Sequence, residues 1–539
     1  MSSLRSAGRA VVAALRADPW LVALLVAAFL ARWLVADRAS YWNDELLSVA
    51  EYGAWPDSLT GALRHLAEAS IHPPLYQAVL YVWIDVLGDG ERVTRTLSNL
   101  YVTLATLFLY LTVRSQTTRN VALASAAVFA LMYAPTAYAL ESRSYGQTLF
   151  LVTLSTWALL LTLRRGRDEG WRAALRSPLV LIVLGANTAL LLTHYYNVFA
   201  LVAQALLAGV FVLSFAPRQW VRGAVVVGVG YLLPLVVFAV VWGRPFVNRA
   251  GIRSEAFEVD ETTGAPGPGS MLRAILQENL PVGPAWVVVL VAFVLLGAVA
   301  VVRLVGGRGH RVDRDEAWFT VYLAGMLVVP VVVAWLAFVV SGTARFTPRY
   351  LSFVVPTLAP LLVLAVRELV RLGAGLASRR DARLVDGPWT GVAVGVVTLA
   401  LVLPGTLDAA TDEKYGAFRE EVSTIVDVID GDPANRYVVY EGTTLERGLT
   451  NYYFERFSDD VRARGETLYL NQRTGELSVR GIDAADLAGF DRLVLVISHR
   501  TLDNVRPLVI DLNERYPVLF RDIAPTRRGY IVYDLTNPR

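Results

Sequence analysis

Residues 73–88 read PPLYQAVLYVWIDVLG, and whether this stretch crosses a membrane decides how the rest of the chain is arranged. It is apolar enough to pass as a short span. It carries Asp85 near its end, however, and falls short of the roughly 20 residues that a helix needs to cross a hydrocarbon core of about 30 Å. The two leading prolines suit the first turn of a helix, where the missing N–H has no partner to lose. The reading is an interfacial or re-entrant helix that does not cross.

Outward from it, apolar runs of about 17 to 24 residues lie near 19–36, 97–113, 120–138, 147–163, 178–193, 198–216, 223–242, 285–305, 317–340, 351–366 and 389–407. In a chain of 539 residues with 55% hydrophobic and 18% charged residues, and a mean hydropathy of +0.46, they exclude a soluble fold. The expectation is a polytopic α-helical membrane protein with about 11 transmembrane helices. With the N-terminus inside, the inner loops are 114–119, 164–176, 217–222, 306–316 and 367–386. These collect nearly all the dense arginine clusters, as the positive-inside bias requires. Counting 73–88 as a span would invert that bias in the next three loops. The first run follows Arg5, Arg9 and Arg16 and continues to Val35 without a small-residue cleavage site, so it reads as a retained first span.

After Leu407 the composition changes. Strand-like stretches at Tyr437–Tyr440, Leu468–Leu470, Leu493–Ile497 and Tyr530–Tyr533 alternate with helix-like ones at Phe418–Ile429, Thr444–Phe457 and Leu502–Tyr516. This predicts a membrane module over 1–407 and a C-terminal soluble α/β domain over 408–539, on the extracytoplasmic side. The GAPGPGS stretch in the loop from Arg244 to Leu280 marks a flexible connection. Only Lys414 among the 50 basic residues is a lysine. A net charge of +3 with arginines scattered among apolar runs does not point to nucleic acid. The absence of cysteine excludes disulfides, thiol nucleophiles and cysteine metal sites.

Under this topology the polar clusters fall on the outer face. Asp44 and Glu45 follow the first span in Tyr41-Trp42-Asn43-Asp44-Glu45, where an acidic helix cap is the plain alternative to chemistry. His72 precedes the two prolines, either as an interfacial residue or as part of a site. Arg92 and Arg95 lie on the side where arginine is disfavoured, which asks for an anionic partner or for snorkelling. Glu141-Ser142-Arg143-Ser144-Tyr145-Gly146 fills a loop close to hydrocarbon, where charges pair locally or function. His194, in His194-Tyr195-Tyr196-Asn197, can ligate a metal, hydrogen-bond a sugar or serve structure. Arg345, Arg349 and Tyr350 flank Pro348 at the last outer turn and are candidates for phosphate contacts. Acids beside outer-face arginines at a membrane boundary suit a substrate with a phosphate head and a lipid tail.

In order, the motifs are DE after the first span, HPPLY about 28 residues later, ESRSY about 70 beyond that, then THYYN and a late PRYL. From about Trp20 to Leu407 the chain resembles the bacterial GT-C glycosyltransferases related to protein O-mannosyltransferases and to the lipid A aminoarabinose transferase. The resemblance implies an enzyme of a bacterial cytoplasmic membrane that transfers a sugar from a polyprenyl-phosphate donor to an outer acceptor hydroxyl. Asp44 matches the family's catalytic acidic position. Glu141 matches a second one, which orients the acceptor or contributes to a metal site. His194 falls near a position that ligates metal in some relatives, so a divalent cation is the cofactor left open. His72 sits where the family places a residue near the donor phosphate.

The chemistry agrees. A hydroxyl is a poor nucleophile until a carboxylate accepts its proton, and Asp44 is the candidate general base. A lipid phosphate leaves as a stable anion and needs charge stabilisation more than protonation, which Arg95, Arg143 and Arg349 can supply. Tyr145 completes the expected substrate-binding set. One displacement inverts the anomeric centre and needs no covalent adduct, which leaves Glu45 an auxiliary or structural acid. A transporter would place charges near mid-membrane and show an inverted repeat, and neither is read here. An oligosaccharide ligase or polymerase fits the same motifs.

Overall fold

The structure, a computed structural model, describes residues 4–54, 56–70, 72–256, 266–280, 286–306, 311–341, 346–377, 388–411, 423–428, 436–441, 452–453, 465–469, 487, 489–497, 502–523 and 529–539. The chain divides into two compact units. One comprises Met1–Ala36, Ser58–Gly88 and Arg92–Thr411; the other comprises Asp37–Asp57, Asp89–Glu91 and Asp412–Arg539.

The first unit is helical. It opens with α1 (Leu4–Ala17) and α2 (Pro19–Val35); after α3 (Asn43–Leu46) of the second unit come α4 (Leu59–Ala69), α5 (Leu75–Leu87) and α6 (Glu91–Gln116). Then follow α7 (Arg119–Ala130), α8 (Tyr133–Ala139), α9 (Tyr145–Asp168), α10 (Trp171–Leu175), α11 (Pro178–Thr193) and α12 (Asn197–Phe215). The rest are α13 (Trp220–Ala256), α14 (Pro268–Asn279), α15 (Trp286–Val305), α16 (Arg311–Ser341), α17 (Val355–Ala377) and α18 (Pro388–Thr411). Among the described residues seven helices are long and apolar enough to cross a membrane, and nine spans result if the bent pairs α1/α2 and α7/α8 each count as one. Each of the 11 expected runs falls on a helix. The difference lies in α11, closed after 16 residues by Ser177 and Pro178 at one end and His194 at the other, and in α18, of which Ala400–Ala410 is the portion described throughout. The 73–88 segment forms the 13-residue helix α5.

Both bends have local causes. Asp18 caps α2 by accepting from Leu21 N, and Pro19 occupies the first helical position. The same carboxylate takes a two-pronged contact from Arg119 (2.8 and 2.7 Å) and the Tyr110 hydroxyl at 2.8 Å. Where α7 breaks into α8, carbonyls lose their helical donors. Arg32 donates to Ala130 O and Thr406 to Leu131 O at that break.

In the interior the apolar helices are joined by amides and hydroxyls. Ser155 Oγ donates to Asn187 Oδ1 at 2.7 Å, Asn187 Nδ2 to Gly230 O at 2.8 Å, Gln204 Nε2 to Thr156 Oγ1 at 3.0 Å and Tyr231 OH to Gln204 Oε1 at 3.2 Å. These bonds tie α9, α11, α12 and α13 where lipid offers no alternative partner. Close approach accompanies them. A Cβ on Gly166 would fall 2.4 Å from the ring of buried Trp171, so glycine is required there.

The second unit carries a five-stranded sheet in the order β2-β1-β3-β5-β4, from β1 (Tyr437–Glu441), β2 (Gly465–Tyr469), β3 (Arg492–Ile497), β4 (Val518–Ile523) and β5 (Gly529–Asp534). β1 runs parallel to β2 and β3, whereas β5 is antiparallel to β3 and β4. Leu493, Val494, Leu495 and Val496 are all buried, the continuous apolar run expected of a central strand. Helix α19 (Leu502–Arg515) contributes Leu512 to the sheet's core. β4 is an addition to the strands expected from sequence, and the predicted helix over 444–457 lies outside the described residues except at 452–453.

Candidate functional site

In the first unit, four chain segments bring the predicted residues together. His72 stands before Pro73, its N–H donating to Ser70 Oγ at 3.0 Å. Glu141, Ser142 and Arg143 form the short turn between α8 and α9, in which Arg143 N–H donates to Glu141 O at 2.8 Å. His194 closes α11, and its Nδ1 accepts from Tyr196 N–H at 3.3 Å. Arg349 and Tyr350 lie on the 3-10 turn Pro348–Val354, which has Pro348 at its start.

The geometry at the centre is specific. Arg143 Nη2 lies 3.2 Å from His72 Nε2. A guanidinium has only donors, so Nε2 must accept and the ring proton sits on Nδ1. The imidazoles of His72 and His194 have centroids 5.8 Å apart. Around His194 stand Tyr145 at 6.1 Å, Tyr196 at 5.6 Å and Tyr350 at 5.6 Å, while Tyr196 and Tyr350 are 5.0 Å from each other. Glu141, Arg143, Tyr145 and His194 are buried, and His72, Arg349 and Tyr350 are half-buried. The result is a set of ring faces with a cation among them. Such faces suit the apolar side of a sugar ring, and the guanidinium suits an anionic oxygen.

A polar layer holds the start of α9 in place. Ser142 Oγ donates to Thr94 Oγ1 at 2.7 Å, Gln147 Nε2 to Tyr101 OH at 3.2 Å, Thr193 Oγ1 to Gln147 Oε1 at 3.2 Å and Asn197 Nδ2 to Thr148 Oγ1 at 3.2 Å. A Cβ on Gly146 would lie 3.0 Å from the Ser98 carbonyl, so the helix start sits directly against α6. Ser142, Thr193 and Asn197 lie within the quoted motifs, whereas Thr94, Tyr101, Gln147 and Thr148 do not stand out, since polar residues inside apolar runs read as parts of spans. Glu278 of α14 is a further acid that sequence reasoning missed. With Glu141, Tyr145 and Arg349 it acts electrostatically on the buried Tyr138 hydroxyl.

Other expected residues take different places. Arg95 is buried, and its Nη1 donates to Ala36 O at 2.7 Å, closing the end of α2. Arg92 stands over the Trp33 ring at 4.8 Å. Arg345 lies outside the described residues. Asp44 and Glu45 belong to the second unit, on α3. Glu45 is fully buried, and its Oε2 accepts from Trp42 N–H at 3.4 Å, the reach-back expected of an acid in a helix's first turn. Asp44 is half-buried, and its carbonyl accepts from Ser48 Oγ at 3.1 Å. Among the described residues no three His, Cys, Asp or Glu side chains gather to hold a metal ion.

This arrangement, a helical bundle whose polar loops gather at one set of helix ends, has the fold seen in solved structures of ArnT. Residues 71–242 match the sequence profile of the dolichyl-phosphate-mannose-protein mannosyltransferase family. ArnT from Cupriavidus metallidurans in the apo state aligns with a TM-score of 0.56 at 14% identity, over 96% of this chain and 98% of that one. The same protein bound to undecaprenyl phosphate aligns with a TM-score of 0.54 at 14% identity, over 95% and 98%. No curated protein matches the sequence. The profile match takes in His72, Glu141, Arg143, Tyr145 and His194, and leaves Asp44, Glu45 and Arg349 outside it.

Proposed function

We propose that the protein is an integral-membrane glycosyltransferase that moves a sugar from a polyprenyl-phosphate donor to an extracytoplasmic acceptor hydroxyl of a glycan, lipid or protein. In this reading the chain crosses a bacterial cytoplasmic membrane 11 times from a cytoplasmic N-terminus, the short α11 and α18 included. The sheet of the second unit belongs to a C-terminal α/β domain outside. The observation that carries the reading is the cluster of His72, Arg143, Tyr145 and His194, built within the segment that matches a polyprenyl-phosphate-sugar transferase family.

Each residue has a role that its chemistry allows. Arg143 and Arg349 neutralise charge on the phosphate as the bond to the anomeric carbon breaks, and Arg143 is aimed by its bond to His72. Tyr145, Tyr196 and Tyr350 present ring faces to the sugar. Glu141 orients the acceptor. Asp44 takes the proton of the acceptor hydroxyl as it attacks, giving inversion in a single displacement. Glu45 serves as the helix's reach-back acid, which fits a structural role, and Asp44 stands half-buried in the same first turn.

Purified protein in nanodiscs, offered a panel of polyprenyl-phosphate sugars and candidate acceptors, tests the reading. It should release lipid phosphate and form a product of inverted anomeric configuration. A broad panel without turnover, or a product of retained configuration, would count against it.

A further inference from the structure

The loop that carries Asp44 is fastened by two tyrosines from the far end of the chain. The Tyr453 hydroxyl accepts from Tyr41 N–H at 2.7 Å and donates to Glu91 Oε1 at 3.0 Å. The Tyr41 hydroxyl donates to the Asp89 carbonyl at 2.6 Å, and the Tyr452 hydroxyl donates to the same carbonyl at 3.1 Å. The rings of Tyr41 and Tyr452 meet edge to face with centroids 5.7 Å apart. Tyr41, Tyr452, Tyr453 and Glu91 are all buried. All of these residues belong to the second unit.

We infer that Tyr452 and Tyr453 are positioning residues for Asp44, so that the C-terminal region takes part in the chemistry by fixing the base. The physical reason is the place of Asp44 in the first turn. α3 runs straight on into the π-helix Leu47–Ala54, so later amides of this stretch have helical partners, whereas a first turn is held by the residues that lead into it. The direction of that turn is therefore set where the chain enters it. That entry is Tyr41-Trp42, pinned at the Tyr41 amide by Tyr453 and at the Tyr41 ring by Tyr452 and Asp89. Asp44 follows three residues after Tyr41, in the first turn. A single buried hydroxyl that both accepts and donates cannot be replaced by water without opening the loop, and phenylalanine in its place leaves a buried amide and a buried carboxylate each short of a partner.

The inference rests on Asp44 being the base, and the experiment separates the two. Single-turnover rates at saturating polyprenyl-phosphate sugar are compared for full-length wild type, Asp44→Asn, Tyr453→Phe and Glu91→Gln in nanodiscs. Donor affinity and amide hydrogen exchange over residues 39–47 are measured on the same samples. Tyr453→Phe should lose roughly ten- to a hundredfold in rate, the scale of a misplaced reacting group, while donor affinity stays within about threefold. Exchange at Tyr41 should quicken. Glu91→Gln keeps an acceptor for the Tyr453 hydroxyl and should hold most of the rate. Wild-type turnover by Tyr453→Phe beside an inactive Asp44→Asn overturns the inference and leaves the base assignment standing, as does unchanged exchange at Tyr41. Wild-type turnover by Asp44→Asn removes the base assignment, and a slow Tyr453→Phe beside it would show that the tie acts on some other group, which also overturns the inference.

Discussion

The two ends of α9 use arginine in different ways. At its C-terminal end Arg167 contacts Asp315 at 2.5 Å and Asp168 at 2.8 Å, Arg164 reaches Asp315 at 3.2 Å, and Arg165 pairs with Glu169 at 2.9 Å. At its N-terminal end Arg143 is set against an imidazole, among stacked rings. In the first set Arg164 and Arg167 join α9 to Asp315 of α16, while Arg165–Glu169 and Arg167–Asp168 pair at the helix's own end, the negative end of its dipole. The second joins a cation to a neutral acceptor and to ring faces. Ion pairs between helices are fastenings. A guanidinium donating to an imidazole among ring faces is a setting that suits contact with an anionic oxygen of a ligand.

That contrast sets the order of expected effects. Arg143→Gln should weaken binding of polyprenyl phosphate by roughly ten- to a hundredfold, the loss of one charge-assisted contact, with little change in thermal stability. Titration of the lipid phosphate into nanodiscs measures it. Equal affinity would mean that the ring cluster does not face phosphate. Tyr350→Leu removes one ring from the set and should raise the KM for the sugar donor by about three- to tenfold while leaving affinity for the sugar-free lipid phosphate near wild type. A parallel loss of both affinities would move Tyr350 from the sugar to the phosphate. Arg167→Gln, at the other end, should cost about 1 kcal/mol of stability, because its partners are partly exposed, and leave donor affinity alone. Thermal denaturation in detergent reads the first, and the same lipid titration reads the second.

Much of this architecture is legible in the sequence because membrane helices announce themselves by length and apolarity. The 11 runs fall on helices, 120–138 on the bent pair α7/α8, and seven to nine spans pass by length and apolarity among the described residues. Boundaries were harder. α11 ends sooner than a full span because Ser177, Pro178 and His194 close it, and caps weigh little against a continuous apolar run. Asn187 and Gln204 form the interior network, but a lone amide in a hydrophobic run gives no sign of which helix it will meet. β4 begins at Val518 just after Pro517, a signal that was present and short. The attachment of Tyr41 to Tyr453 was beyond reach for another reason. These residues are 412 positions apart, and no periodicity links a first loop to a tail across an entire bundle. Glu45 reads from the sequence as an auxiliary or structural acid beside Asp44. Its burial and its bond to Trp42 N–H are what separate it from Asp44.

The account's central claim is glycosyl transfer with Asp44 as the base, and Asp44→Asn tests it most directly. The substitution keeps the side chain's shape and removes its ability to accept a proton at neutral pH. With a donor that wild type uses, the single-turnover rate in nanodiscs should fall by roughly a hundredfold or more while donor affinity is retained. Transfer by Asp44→Asn at the wild-type rate would contradict the claim.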